Sequence, residues 1–237
     1  MRQRRIKRDH LAYYHCMSRI VGREMLLGTQ EKEHMRRLIR RVEGFTGVHV
    51  LTYAVMTNHI HLLLEEPERN AVQSMPDDEL VRRLRCLYTE KEVGEIRFRW
   101  AEWEQVGLFD LVREEKQCYL IRMHDISEFM KQVKQRFSCW YNGRNGRSGT
   151  LWDRRFKSVL VEDGLALRTM AAYIEMNPVR AGMVDDPKAY RFCGLGEAMG
   201  GLVAARQGIM TLASGVERLD DDVRAKGKIG VWSDASN

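Results

Sequence analysis

Cysteine is sparse in this 237-residue sequence and never paired: Cys16, Cys86, Cys118, Cys139 and Cys193 form no Cys-x-x-Cys unit. That speaks against a zinc knuckle, and the odd, scattered count speaks against a disulfide framework. A reducing, cytoplasmic setting is expected. Long apolar runs are missing as well. No stretch approaches the ~20 apolar residues of a membrane span. No signal-peptide core follows the first residues, and no internal repeat is visible.

What is present describes a globular chain. Hydrophobic residues make up 44% and charged residues 30%, enough for one good core or a core with a large insertion. The net charge is +6 and the sequence pI about 9.1. A basic surplus suits an anionic partner such as nucleic acid, and equally suits a merely soluble basic protein. Five basic side chains, Arg2, Arg4, Arg5, Lys7 and Arg8, open the chain as a phosphate-binding arm or a solvated tail.

Periodicity gives the order of elements. Residues 12–21 read as a strand from their aromatic and apolar content. Over 30–43, Met35, Leu38, Ile39 and Val42 fall on one stripe with Arg36, Arg37, Arg40 and Arg41 opposite, which predicts an amphipathic helix ended by Gly44 and Gly47. Residues 48–56, apolar on both faces, suggest a central strand. Thr57-Asn58 is a tight turn into a strand over 59–65. Residues 67–125 read as a helical insertion. Ile126, Phe129, Met130, Val133, Phe137 and Trp140 form the stripe of a further helix that Asp125 or Ser127 can cap. A basic, glycine-rich loop (142–149), a half-buried strand (154–162) and a helix from about 165 to 176 follow. Asn177 precedes proline, which disfavours continued helix. The order β-α-β-β-(insertion, α)-β-α suggests a ferredoxin-like α+β fold, an antiparallel sheet with helices on one face. The expected division is a domain over 1–192 and a C-terminal tail over 193–237.

Two short segments carry the chemistry. In Val55-Met-Thr-Asn-His-Ile-His-Leu-Leu-Leu64, His59 and His61 stand at i and i+2, which on a strand aims both rings at one face. In Tyr173-Ile-Glu-Met-Asn-Pro-Val-Arg180, Tyr173 and Asn177 stand at i and i+4, on one side of a helix. Each feature alone is ordinary: paired strand histidines are often structural, and Tyr173 shares a stripe with Ala166 and Met170. Together, two imidazoles and an amide oxygen make a mixed ligand set for Mg²⁺ or Mn²⁺ against a phosphate, with a phenol beside it. Arg154, Arg155, Lys157 and Arg180, and in the loop Arg144 and Arg147, are candidate phosphate contacts. Trp140 and Trp152 suit either base stacking or the core.

These segments resemble the single-tyrosine HUH transposases, and more closely the REP-associated tyrosine transposases. The first resembles the histidine–hydrophobic–histidine strand, and Tyr173 to Val184 the catalytic-helix motif. Tyr14-His-Cys-Met-Ser-Arg19 and Gly149-Thr-Leu-Trp-Asp-Arg-Arg-Phe-Lys157 support the likeness. It covers roughly residues 10–66 and 126–192. The resemblance implies that Tyr173 attacks a DNA phosphodiester to form a 5′-phosphotyrosine, and that His59 and His61 are metal ligands. Asn177 then stands where some relatives have glutamine. It further implies a substrate of single-stranded DNA with foldback hairpins, handled by a monomer or homodimer. Two other readings remain open at this level: a non-catalytic nucleic-acid-binding protein on the same scaffold, and a metal-dependent phosphodiesterase in which Tyr173 is structural.

Overall fold

The computed structural model describes residues 10–214. The basic residues at positions 2–8 lie outside that range. Four strands form one antiparallel sheet: β1 (Ala12–Arg19), β2 (His49–Val55), β3 (His59–Glu66) and β4 (Lys157–Val161), in the order β2-β3-β1-β4. Between β1 and β2 runs α1 (Thr29–Thr46), and between β3 and β4 comes α6 (Ile126–Arg144). The ferredoxin-like α+β class follows from that order.

Register decides the faces, because directly paired residues of an antiparallel sheet point the same way. Cys16 pairs with Leu62, Tyr14 with Leu64 and Tyr53 with Leu62. These side chains are out of solvent. They lie beneath α1, whose Arg40 sits over the Tyr53 ring, and beneath α6, whose first amide Ile126 donates to Glu66 Oε1 on β3. The opposite face holds His15, Met17, Arg19, His59, His61 and Leu63. A further helix, α7 (Leu165–Glu175), covers it: Thr52, paired with Leu63, donates its hydroxyl to Glu175 of α7. The helices therefore occupy both faces, not one. The β-α-β-β-α-β core accounts for α1 and α6, and the helix that follows β4 turns under the other face.

The α1 stripe is where the spacing predicts it, with Met35, Leu38, Ile39 and Val42 buried. Gly47 ends the helix in the left-handed region (φ 68°), as a glycine C-cap does. Gly44 does not end it. It lies inside α1 where α3 (Asp77–Leu87) packs closely, and a Cβ there would meet Cys86 Sγ at 2.7 Å. The cap of α6 is Asp125, which accepts from the amides of Ser127 and Glu128.

Strand β2 is at the edge of the sheet, not its centre. It reads as apolar on both faces because α1 and α7 sandwich it. Its free edge is covered too: the Val55 amide donates to Phe192 O, and Ala54 bridges to Cys193. The insertion is helical as expected, with α2 (Asn70–Gln73), α3, α4 (Glu90–Gln105) and α5 (Phe109–Leu120). The segment expected as a tail continues this edge cover through its described part. In α9 (Gly194–Met199), Glu197 is buried and paired with Arg36 and Arg40 of α1, so those arginines do not simply face solvent. A helix over 203–214 brings Gly208 so near Leu51 that a Cβ would clash with its carbonyl oxygen. Among the described residues no helix is long and apolar enough to cross a membrane.

Candidate active site

The site lies on the α7 face of β1 and β3. The rings of His59 and His61 are 5.0 Å apart between centroids and nearly perpendicular. Each has its Nδ1 engaged: His59 with Asn58 Oδ1 at 2.7 Å, His61 with His15 Nε2 at 2.9 Å. Donating Nδ1–H to the Asn58 oxygen leaves His59 a free Nε2, and His61 has one in the tautomer that donates Nδ1–H to His15, the orientation metal-binding imidazoles usually have. Burial pushes the His61 pKa down to about 3, helped by His59, His15 and Arg19. Burial and then Arg19 bring His59 down to about 4. Both rings are therefore neutral at physiological pH, with lone pairs free for a cation.

The helix carrying Tyr173 closes the site. The Tyr173 ring is 6.0 Å from that of His61 and 6.3 Å from that of His15, edge-on to both. The residue remains 41% exposed. Helix α7 ends at Glu175, and Asn177 opens a second short helix, α8 (Asn177–Arg180). The Asn177 amide donates to the carbonyls of Tyr173 (2.9 Å) and Ile174 (3.3 Å). It thus satisfies the frayed end of α7 and keeps its oxygen as an acceptor. Arg180 lies over the Tyr173 ring at 5.4 Å, a cation–π contact.

No group of three or more His, Cys, Asp or Glu able to hold a metal exists among the described residues. The donors the sequence offers are the two imidazoles and the Asn177 amide oxygen, whose amide nitrogen is held at the end of α7. Such a set leaves positions open for water or phosphate and fits a catalytic cation better than a closed structural one.

The basic residues separate into groups. Lys157 shares a sheet row with Met17 and His61. Arg154 and Arg155 are exposed in the segment just before β4, where the Asp153 amide donates to Arg19 O. Arg144 and Arg147 are instead held toward the start of α1, Arg144 by Gln30 and Arg147 at 3.7 Å from Glu24. Trp152 is buried in the core, and Trp140 stacks on His34 at 3.8 Å. Sequence reasoning assigned no role to His15, although it stands in one of the supporting motifs. Its parity on β1 was legible, but the register that pairs it with Leu63, diagonal to His61, was not.

With this geometry the comparisons can be placed. Residues 9–77 match the family model of the IS200-like transposases. That span covers β1 to β3, including both histidines, and stops before Tyr173. Among solved structures, a REP-associated tyrosine transposase bound to a REP hairpin shares the fold, with a TM-score of 0.52 and 16% identity over 86% of this chain and 90% of that one. Both findings bear out the resemblance read from the motifs. None of the curated proteins matches the chain in sequence.

Proposed function

We propose that the protein is a transposase that cuts and rejoins single-stranded DNA through a covalent tyrosine intermediate. The observation that carries this reading is the exposed Tyr173 set edge-on to His61, whose neutral ring adjoins that of His59. The family match over residues 9–77 and a fold neighbour that holds a REP hairpin support it. DNA with foldback hairpins is accordingly the substrate we assign.

In this mechanism His59, His61 and the Asn177 oxygen would hold Mg²⁺ or Mn²⁺, which would supply Lewis-acid polarisation of the scissile phosphate. Arg154, Arg155, Lys157 and Arg180 bind flanking phosphates, and Arg144 and Arg147 extend that track. Tyr173 Oη attacks phosphorus and the bond to the 3′-oxygen breaks. The phenol gives up one proton and the departing 3′-oxygen gains one. The product is a 5′-phosphotyrosine and a free 3′-hydroxyl. Attack by a 3′-hydroxyl on that phosphotyrosine reverses the step, so rejoining needs no external energy. Residues 1–192 carry the catalytic machinery, interrupted by the insertion at about 67–125, and the described residues from 193 on brace the β2 edge of the same fold.

The test is Tyr173→Phe, which keeps the ring and removes the attacking oxygen. A labelled hairpin should give the wild-type protein an adduct that survives denaturing electrophoresis and disappears with protease. The variant should bind the hairpin and form none. Cleavage that persists in the variant would make the protein a metal-dependent phosphodiesterase instead. Binding without cleavage by the wild type would make it a nucleic-acid-binding protein.

A further inference from the structure

Arg19 is the last residue of β1 and pairs in register with His59, on the histidine face. Most other partly buried arginines of the described chain are tied to carboxylates: Arg36 and Arg40 to Glu197, Arg83 to Glu79, Arg99 to Glu115. Arg19 is not. Its Nε is shut off from solvent and has no hydrogen-bond partner. A charged donor that has lost its water and gained nothing is costly. Arg83 Nη1 and Arg168 Nη1 are buried without a partner as well; what singles out Arg19 Nε is its place in register with His59. A ligand there must be anionic, because the guanidinium is always charged and its planar fork matches phosphate oxygens.

The surroundings indicate which anion. On one side are the two imidazoles. On the other, the Arg19 carbonyl accepts from Asp153 at 3.0 Å, so the segment carrying Arg154 and Arg155 starts from this residue. A DNA backbone that follows those cations toward the histidines passes Arg19 at the point of reaction.

We propose that Arg19 is a catalytic residue that grips a non-bridging oxygen of the scissile phosphate. This rests on the reading of Tyr173 as nucleophile. When the Tyr173 Oη–phosphorus bond forms and the phosphorus–O3′ bond breaks, negative charge grows on the non-bridging oxygens. A fixed guanidinium there favours the transition state over the bound substrate.

The experiment is single-turnover cleavage of a hairpin with either a natural phosphate or a neutral methylphosphonate at the scissile position. Wild type, Arg19→Gln, Arg19→Lys and Tyr173→Phe are compared, with hairpin affinity and melting temperature measured for each. On the phosphate, Arg19→Gln should be slower by roughly 100-fold or more, as when one preorganised donor is lost, with Arg19→Lys in between and hairpin affinity within about threefold. On the methylphosphonate the deficit of Arg19→Gln should shrink at least about tenfold, because the charge it would have met is gone. A wild-type rate in Arg19→Gln, or an equal deficit on both substrates, overturns the proposal; the second result is what a structural role gives. If Tyr173→Phe still cuts, the nucleophile reading fails instead. If it is inert while Arg19→Gln is at full rate, only the role of Arg19 fails.

Discussion

On one face of the sheet Cys16, Ile60, Leu62 and Leu64 are fully out of solvent beneath α1 and α6. On the other, one residue along the same strands, His61 is buried, His15 and His59 stay half-buried and Tyr173 is exposed. The first face is packed with apolar side chains, and its contribution is burial of apolar area. The second holds polar groups whose partners are partly other site residues, as with His15 and His61, and partly absent, as with Arg19 Nε. The strand's period of two lets one short segment serve both purposes, so stability and chemistry are separable by a single step in sequence.

The sharpest way to break this comparison is to remove the ligands. His59→Ala with His61→Ala should abolish metal-dependent cleavage of a hairpin, a loss of at least about 10³-fold if the cation provides several kcal/mol of transition-state stabilisation. The melting temperature should stay close to wild type. Collapse of the fold would show that the two faces are not independent.

The reverse change comes next. Leu62→Ala, one residue past His61 on β3 and pointing the other way, should cost about 2–5 kcal/mol in chemical denaturation. The rate per folded molecule should be nearly unchanged. A large fall in that rate at full folding would again deny the separation.

A smaller effect is expected at the orienting partner of His61. His15→Ala should lower cation affinity or cleavage by about 10–100-fold, the usual cost of losing a hydrogen bond behind a ligand. His15→Gln, which can still reach His61 Nδ1, should recover part of it. Equal loss in both variants would mean that the ring itself, through its edge contact with Tyr173, is what matters.

The smallest effect is in pH. An ordinary imidazole is half protonated at 6.5, but His59 and His61 are held near 4 and 3 by burial. Depressed values mean that both stay neutral as pH falls to about 5, so single-turnover cleavage at saturating cation should hardly change there. Stability behaves differently. Below 6.5 the unfolded chain takes up protons that the native rings refuse, so folding stability should decline from pH 6.5 toward 4. Parallel loss of activity and stability between pH 7 and 5 would contradict the assigned values.

Much of this was legible in the sequence. The stripes of α1 and α6, the hairpin at Thr57-Asn58 and the shared face of His59 and His61 all follow from spacing alone. Spacing did not give neighbours. Strand β2 reads as central because both its faces are apolar, yet it is an edge closed by Phe192, Cys193 and the close approach at Gly208. Gly44 reads as a stop signal and is instead the contact point for Cys86. Arg36 and Arg40 read as solvated, but a carboxylate 157 residues or more away in the chain binds them.

What the sequence determined by itself was local: which residues alternate, which recur every three or four, and hence that two imidazoles share a strand face; Tyr173 and Asn177, read as one side of a helix, fall instead on two successive helices. What the tertiary structure decided was adjacency. It put α7 on the histidine face rather than with α1 and α6, set His15 against His61, and left Arg19 Nε without a partner on a residue in register with His59. The physical reason is that periodicity fixes the direction of a side chain relative to its own backbone. Register and helix docking, which bring distant segments together, depend on packing across the whole core.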